Sequence, residues 1–478
     1  MTLRERTDAV IGVAASLGIA TYFWRLVRPS LHLYFSPDDL MNLYRAWDAP
    51  LHQLVRDNLL FFLASPFYRP LAEAWYRVVF YFAGFRPLPF HAALLAILFV
   101  NIWLTYALAR RLSGSRETGA VAALVGCYQV RLAALYFDTG YIFDVLCYCF
   151  YFAAFLLYVR VRQQDRLPGI AETAAVCLLY GCALSSKELA VTLPLFLLIY
   201  EVLYPGVKWR AAFQQCRVVI VTGLTTVVFL VGRSLGSETL LANAAYRPAF
   251  TPQQFLETSR HFLGDMTAVE DRFHAAWVLP VWVVLFAIAW GFRSRTLKFA
   301  WLFLMLSPLP VAFIWPRGAA QYYVPWFGWV LYLAALLVGA AAWVTQRFWK
   351  EGYWMPRIRG AVLLLVLAAV LYPYYKRLGW QHTALSESFE APHVAAMVSQ
   401  LHRLVPVLPR GARLYFRNDP VDPDLYDLLF LVRLSYHDAS LTVDRARQMK
   451  EPPTKEQLAR YDHVFDYADG SFFEVGHP

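Results

Sequence analysis

The stretch 88–109, LPFHAALLAILFVNIWLTYALA, is a nearly unbroken apolar run that Arg110 and Arg111 follow directly. A helix needs about 20 apolar residues to cross the hydrocarbon core of a bilayer, and basic residues at one end mark its cytoplasmic side. The whole chain has the same character, with 59% hydrophobic and only 16% charged residues over 478 positions. The sequence therefore predicts an α-helical, polytopic membrane protein.

About eleven such runs are candidate membrane spans, near residues 9–29, 88–109, 118–136, 141–159, 169–185, 189–204, 213–234, 275–292, 297–315, 322–344 and 360–378. Every second connection between them is basic, as the positive-inside rule requires of cytoplasmic loops. The basic residues on that side are Arg4, Arg6, Arg110, Arg111, Arg116, Arg160, Arg162, Arg166, Lys208, Arg210, Arg217, Arg293, Arg295, Lys298, Arg347, Lys350, Arg357 and Arg359. The amino terminus is thus predicted to be cytoplasmic, and the first loop, the loop 235–274 and the tail to be external.

The first run has two interpretations, an uncleaved span or a signal peptide. It continues into Tyr22, Phe23 and Trp24 without a clear small-residue cleavage site, which favours the uncleaved span.

The first external loop, residues 30–87, contains two segments with amphipathic patterns, 39–54 and 71–85. The second is apolar enough to resemble a span, but it carries Glu73 and Arg77, and a crossing there would invert every later loop. We therefore expect two amphipathic helices that lie along the membrane surface. Their junction is predicted near Ser65-Pro66.

The tail from 380 to 478 is richer in charge and proline than the membrane domain, 1–379, and has no apolar run. Its pattern predicts a small external α/β domain. The predicted elements are helices near 392–405 and 423–434, a strand at 412–417, and a hairpin of 463–467 with 471–475.

The net charge of +10 does not indicate nucleic-acid binding. The Lys and Arg residues sit in short clusters between apolar stretches, where they orient spans and contact membrane lipids, and they form no continuous basic face.

The sequence Ser36-Pro37-Asp38-Asp39-Leu40-Met41-Asn42 places two adjacent carboxylates just after the first span. Acid pairs are costly close to hydrocarbon and usually mark a functional site. The alternative is that Asp38 and Asp39 cap the helix that follows Pro37, although one Asp would suffice for capping.

Several short motifs, in matching order over residues 1 to about 345, resemble the GT-C superfamily of membrane glycosyltransferases. The resemblance is closest to protein O-mannosyltransferases and related bacterial arabinosyl- and mannosyltransferases. In those mannosyltransferase-like relatives an Arg commonly precedes the paired tyrosines, whereas this chain has Gln321, with Arg317 four residues earlier. The motifs are Pro37-Asp38-Asp39 with Asn42, Tyr68-Arg69-Pro70-Leu71, Phe90-His91, Ser185-Ser186-Lys187-Glu188-Leu189-Ala190-Val191-Thr192-Leu193-Pro194, and Gln321-Tyr322-Tyr323-Val324-Pro325 with Gly328.

The resemblance implies transfer of a sugar from a polyprenyl-phosphate carrier to a hydroxyl of a protein, lipid or glycan, on the external side of a bacterial inner membrane. Such a reaction needs a base for the acceptor proton and donors for the departing phosphate. Asp38 and Asp39 suit the base, and Asp39 is preferred because it precedes Asn42 by three residues on one helical face. The pair could instead hold Mg²⁺ or Mn²⁺.

Four external cations are candidates for the phosphate: Arg69, Lys187, Arg247 and Arg317. Each could equally extend to lipid headgroups. Lys187 is preferred because it lies beside Glu188 in a very short loop between two spans, where an unpaired charge is costly. A structural Lys187–Glu188 bridge is the alternative.

Three further residues are weaker candidates. Asp138, in the turn 137–141, could contact a metal or the acceptor, but turn formation explains it about as well. His91 and Tyr322 match the GT-C motifs, and His91 is more often a helix-end hydrogen-bonding residue than a ligand.

A transporter or flippase of a lipid-linked substrate is the rival function, and a non-catalytic glycan-assembly scaffold is another. Transporters commonly show internal repeats and broken spans with charges at mid-membrane. This chain shows neither clearly, since its acids cluster at one surface, so the sequence favours the transferase.

Overall fold

The computed structural model describes residues 3–63, 69–206, 212–234, 247–267, 273–316, 318–348, 360, 363, 392–449, 451 and 453–476. Helices dominate up to residue 348, and strands occur only in the tail of the described chain. The helices before the tail are α1 (Leu3–Val27), α2 (Pro37–Asp48), α3 (Leu51–Leu59), α4 (Pro70–Ala83), α5 (Pro87–Ser113), α6 (Arg116–Gly126), α7 (Ala134–Phe137), α8 (Ile142–Arg162), α9 (Ile170–Ser186), α10 (Leu193–Leu203), α11 (Ala212–Gln215), α12 (Arg217–Ser234), α13 (Pro252–Thr267), α14 (Val278–Gly291), α15 (Arg295–Leu306) and α16 (Tyr323–Phe348).

Within the described residues, three helical segments are long and apolar enough to cross a membrane: Pro87–Ser113, Thr139–Arg162 and Ala319–Phe348. Two shorter apolar helices are Ile170–Ser186 and Ala275–Gly291. The predicted total of about eleven spans stays a prediction. The last of them, 360–378, lies almost entirely outside the described residues.

The predicted span 118–136 is not one helix, because α6 ends at Gly126. Gly126 packs against Val330 of α16, whose Cγ1 would lie 3.2 Å from an added Cβ. The chain is then extended at Gln129, whose side-chain amide donates to the carbonyl of Asp265 in α13 at 2.6 Å. A hydrogen bond to α13 is thus made where the helix has ended.

The first loop contains three helices, α2, α3 and α4, and the prediction of one helix over 39–54 is wrong. Helix α2 ends at Asp48, and Pro50, which has no N–H to continue the ladder, precedes α3. The predicted junction at Ser65-Pro66 lies outside the described residues. Helix α4 covers most of the predicted segment 71–85.

Helix α4 packs along α2, and this contact accounts for its two charges. The Arg77 guanidinium donates to the carbonyls of Ala46 at 2.9 Å and Ala49 at 3.2 Å, which satisfies the open end of α2. Glu73 forms an ion pair with Arg45 of α2 at 3.5 Å. Both polar groups therefore hold the first loop together.

The core among the long helices is largely aromatic. The rings of Tyr148 in α8 and Tyr323 in α16 stack with centroids 4.2 Å apart, and Phe152 and Phe327 follow at 4.6 Å. Asn101 of α5 donates its amide to the carbonyl of Val145 at 3.0 Å. Interhelical hydrogen bonds and close aromatic contacts of this kind hold helices together where lipid supplies no hydrophobic driving force.

The described tail forms a four-stranded sheet with helices α17 (Pro392–Leu404), α18 (Asp427–Ser435) and α19 (Lys455–Leu458). The strand order is β2-β1-β3-β4, where β1 (Arg413–Phe416) is parallel to β2 (Thr442–Arg445) and β3 (His463–Ala468), and β3 is antiparallel to β4 (Ser471–Glu474). The predicted helices, first strand and hairpin occur here. Strand β2 was not predicted.

Candidate functional site

The carboxylate of Asp39 is fully buried beneath the start of α2. Its Oδ1 accepts hydrogen bonds from the Tyr76 hydroxyl at 2.7 Å and the Thr139 hydroxyl at 2.5 Å. Its Oδ2 accepts from the backbone N–H of Ser36 at 3.1 Å, which completes a capping box. Asp39 therefore does cap α2, and it also ties α2 to α4 and to the turn before α8.

Asp138 extends this network toward the surface. Its Oδ1 accepts from the Ser36 hydroxyl at 3.0 Å and from the backbone N–H of Gly140 at 2.8 Å. Gly140 is closely packed, since an added Cβ would lie 2.9 Å from Oδ1 of Asp138 and 3.2 Å from the Cβ of Asp38. Asp38 thus sits directly over the 138–140 turn with its side chain exposed to solvent.

Burial sets the proton affinity of these acids. It raises the pKa of Asp39, although the hydrogen bonds from Thr139 and Tyr76 oppose the rise. Burial, and then the charge of Asp39, raise the pKa of Asp138 well above its usual value. The two acids thus face each other across Ser36, and ionising one disfavours ionisation of the other.

We expect Asp138→Asn to make the protein less sensitive to alkaline pH. An acid whose pKa is higher in the folded than in the unfolded chain weakens folding once the pH rises above the unfolded value, near 3.9, and the loss grows until the folded pKa is passed. Asn keeps an acceptor for Ser36 and Gly140 but carries no charge. Thermal unfolding of detergent-solubilised protein at pH 5 and pH 8 should show a smaller drop for the variant, with Asp38→Asn as the exposed control. An equal drop in both variants and the wild type would contradict this origin of the pH dependence.

A second group of charges lies beside the acids and contains Lys187. The Lys187 ammonium pairs with Asp144 of α8, and Glu188 pairs with Arg69 at 3.3 Å. The alternative of a Lys187–Glu188 bridge is therefore wrong: the extended backbone at Lys187 directs its ammonium toward α8.

Arg233, at the end of α12, belongs to the same group. It is buried, with its guanidinium 5.2 Å from the Phe229 ring centroid. Burial raises the pKa of Glu188, but nearby charges, Arg69 first and then Arg233, lower it overall. The cluster therefore contains three cations and two carboxylates, an excess of one positive charge.

Helices α4 and α8 connect the two groups of charged residues. Arg69 caps α4, and Tyr76, which holds Asp39, follows seven residues later, about 10 Å along the helix axis. Asp138 caps the turn that leads into α8, and Asp144 lies in the first turn of that helix. The acids and the cationic cluster thus lie side by side at one end of the bundle.

The other predicted site residues fall in different places. Asn42 is buried in α2, His91 is buried near the start of α5, and Tyr322 is buried with its ring 5.0 Å from that of Phe262. Arg247 is exposed in the loop before α13. Arg317 lies outside the described residues.

The described residues contain no group of three or more His, Cys, Asp and Glu side chains that could hold a metal ion. Both oxygens of Asp39 already accept hydrogen bonds, so chelation by Asp38 and Asp39 together would have to break them. The donor set does not fit a metal shared between the two acids.

Four residues of these groups were not among the sequence candidates. Asp144 is an acid inside a predicted span, which is a recognised signal of function, and loop parity places Arg233 at the external end of its span. Tyr76 and Thr139 carry no such signal, because a single Tyr or Thr in an apolar segment is ordinary.

The comparisons with known proteins bear on the fold. No protein-family model and no curated protein matches the chain by sequence. ArnT from Cupriavidus metallidurans in the apo state superposes with a TM-score of 0.51, covering 91% of this chain and 86% of that one at 14% identity. The chain has the ArnT fold. An ArnT structure bound to undecaprenyl phosphate gives a TM-score of 0.49 over the same shares, also at 14% identity.

At 14% identity this likeness establishes the fold, and it agrees with the α-helical membrane architecture that the sequence predicts. The ArnT fold and the long apolar helices make this chain an integral membrane protein.

Proposed function

We propose that the protein is a membrane glycosyltransferase that moves a hexose or pentose from a polyprenyl-phosphate donor to an acceptor hydroxyl on the non-cytoplasmic face. The observation that carries the proposal is the exposed Asp38 beside the cluster of Arg69, Lys187 and Arg233, on the shared scaffold of α4 and α8. The ArnT fold and the GT-C motifs support the same class of reaction.

Asp38 is the better general base of the acid pair. A base must reach the acceptor hydroxyl within hydrogen-bond distance, and Asp38 is exposed where Asp39 is buried. Asp39 instead positions Asp38, because it fixes the first turn of α2 to Tyr76 and Thr139. This assignment reverses the preference for Asp39 that the sequence suggested.

The cationic cluster suits the departing phosphate. Breaking the bond between sugar and phosphate adds negative charge to the lipid phosphate, and fixed cations in a partly buried site stabilise that charge strongly. Lys187 and Arg69 are each held by one carboxylate, which orients them, and the cluster keeps one positive charge in excess. Arg247 and Arg317 stay candidates for binding the donor phosphate.

The reaction needs no metal in this proposal. Departing phosphate can be neutralised by the cluster, and the exposed Asp38 can take the acceptor proton. Equal transfer activity with a chelator and with added Mg²⁺ or Mn²⁺ would support transfer without a metal ion. Activity that depends on either ion would instead make Asp38 a metal ligand.

The proposed orientation puts the site, the loop 235–274 and the tail outside the cytoplasm, with about eleven crossings in a bacterial inner membrane. The basic loops support it. A reporter active only outside the cytoplasm, fused after Pro478, should be active, and the same reporter fused after Arg166 should be silent. The opposite pattern would overturn the orientation and the face of transfer.

Transfer and transport can be separated in proteoliposomes. With a polyprenyl-phosphate sugar and an acceptor in the same leaflet, a transferase releases polyprenyl phosphate and glycosylates the acceptor. A flippase would move intact donor between leaflets, and a scaffold would do neither. Donor that crosses without cleavage would refute the proposal.

A further inference from the structure

Helix α18 of the tail lies directly against α2, the helix that begins with Asp38. The Phe430 ring stacks on Tyr44 with centroids 4.9 Å apart. The Arg433 guanidinium donates to the Tyr44 hydroxyl at 2.5 Å and lies 5.8 Å from the centroid of that ring. Arg433 of the tail thus contacts α2 through a hydrogen bond and a cation–π contact, both to Tyr44.

The contacts occur in matching order along the two helices. At one end, Asp427 of α18 is close to Asp38, since burial and then the charge of Asp38 raise the pKa of Asp427. At the other end, the ring of His437, just after α18, lies 5.3 Å from that of Trp47. The two helices therefore run side by side in the same direction, with the Tyr44 contact between these ends.

Arg433 also reaches back into the tail. Its Nε donates to the carbonyl of Leu441, the residue before β2, at 2.8 Å. One guanidinium therefore connects the sheet of the tail to α2. Tyr44 follows Asp38 by six residues, about 9 Å along the helix. Because both residues lie in one continuous helix, a shift of α2 at Tyr44 also moves Asp38.

We propose that Arg433 is a positioning residue for transfer: it holds α2, and with it the Asp38 carboxylate, in the reactive position through the Tyr44 hydroxyl. This inference rests on the proposed function. The tail then acts on turnover through α2, while the donor phosphate cluster, on α4, α8, α9 and α12, makes no contact with Arg433 among the described residues.

The test compares Arg433→Met, Arg433→Lys and the control Arg413→Met in the full-length protein. Arg413 lies in β1 and contacts the Tyr461 ring, 5.0 Å from its guanidinium, so its replacement removes a similar charge and ring contact within the tail. Arg433→Met should lower kcat about tenfold, as loss of a charged hydrogen bond predicts, with the donor KM unchanged. Arg433→Lys should recover most of the loss, and Arg413→Met should match the wild type.

Hydrogen exchange supplies a measurement that does not depend on activity. The backbone amides of residues 38–48 in α2 should exchange faster in Arg433→Met than in Arg413→Met, while those of β1 and β3 stay protected. If the sheet itself loses protection in Arg433→Met, Tyr44→Phe is used instead, because it removes the acceptor hydroxyl without altering the tail. Tyr44→Phe should also make the α2 amides exchange faster, by a smaller factor.

The outcomes separate this inference from the proposed function. A wild type that transfers no sugar refutes the function, while exchange in α2 still reports whether Arg433 positions that helix. Unchanged kcat and unchanged α2 exchange in Arg433→Met overturn the positioning role even when the wild type is an active transferase. A raised donor KM with normal kcat also overturns it.

Discussion

Replacing Asp38 by Asn should lower sugar transfer by about 10²-fold or more, because the variant cannot take the acceptor proton. The side chain is exposed, so its replacement should leave folding and membrane insertion intact. Steady-state transfer from a polyprenyl-phosphate donor, together with thermal unfolding of the same preparation, measures both quantities.

Asp39→Asn is the matched control, since it removes the same charge one residue away. Asp39 is buried and bonded to Tyr76, Thr139 and Ser36, so an amide in its place must present an N–H₂ group to one of these donors. We expect the unfolding temperature to fall in Asp39→Asn and to stay at the wild-type value in Asp38→Asn. Wild-type turnover in a well-folded Asp38→Asn protein would return the base to Asp39.

Lys187→Met should lower both stability and donor use. It leaves the Asp144 carboxylate buried without its ammonium partner, and breaking one side of a buried pair costs about 3–5 kcal/mol. It also removes one of the three cations proposed for the phosphate. Catalytic efficiency with respect to donor should fall by about 10²-fold, with acceptor choice unchanged.

The double variant Lys187→Met with Asp144→Asn separates the two effects. It has no unpaired carboxylate, so stability should recover, while donor efficiency should stay low. Lys298→Met is the control, since Lys298 lies 5.5 Å from the Trp290 ring centroid on the predicted cytoplasmic side. Normal donor kinetics in a stable double variant would make Lys187 purely structural and assign the phosphate to Arg69 and Arg233.

The sequence was most informative where a pattern is local. The Ser36-Pro37-Asp38-Asp39 segment predicts the start of a helix, and α2 begins there with its capping box. Long apolar runs such as 88–109 predict the spanning helix α5. The strand β2, with the sequence Thr-Val-Asp-Arg, has no apolar alternation, and its Arg445 is buried by pairing with Asp419, a contact that no local pattern indicates.

Partners distant in the chain could not be predicted in the same way. Lys187 and Glu188 are neighbours in sequence, yet each pairs with a different helix, with Asp144 and Arg69. Likewise, the spacing to Asn42 favoured Asp39 over Asp38 as the base, whereas the structure leaves Asp38 exposed and buries Asp39 beneath the turn. The division of roles between neighbouring residues is therefore a property of packing.

The most direct test of the account is one reaction in which purified protein receives a polyprenyl-phosphate-linked sugar and an acceptor, and both products are counted. The account predicts free polyprenyl phosphate and glycosylated acceptor in equal amounts from the wild type, and about 10²-fold less of both from Asp38→Asn in the same time. Donor that stays intact with folded wild-type protein, across protein, lipid and glycan acceptors, would contradict it.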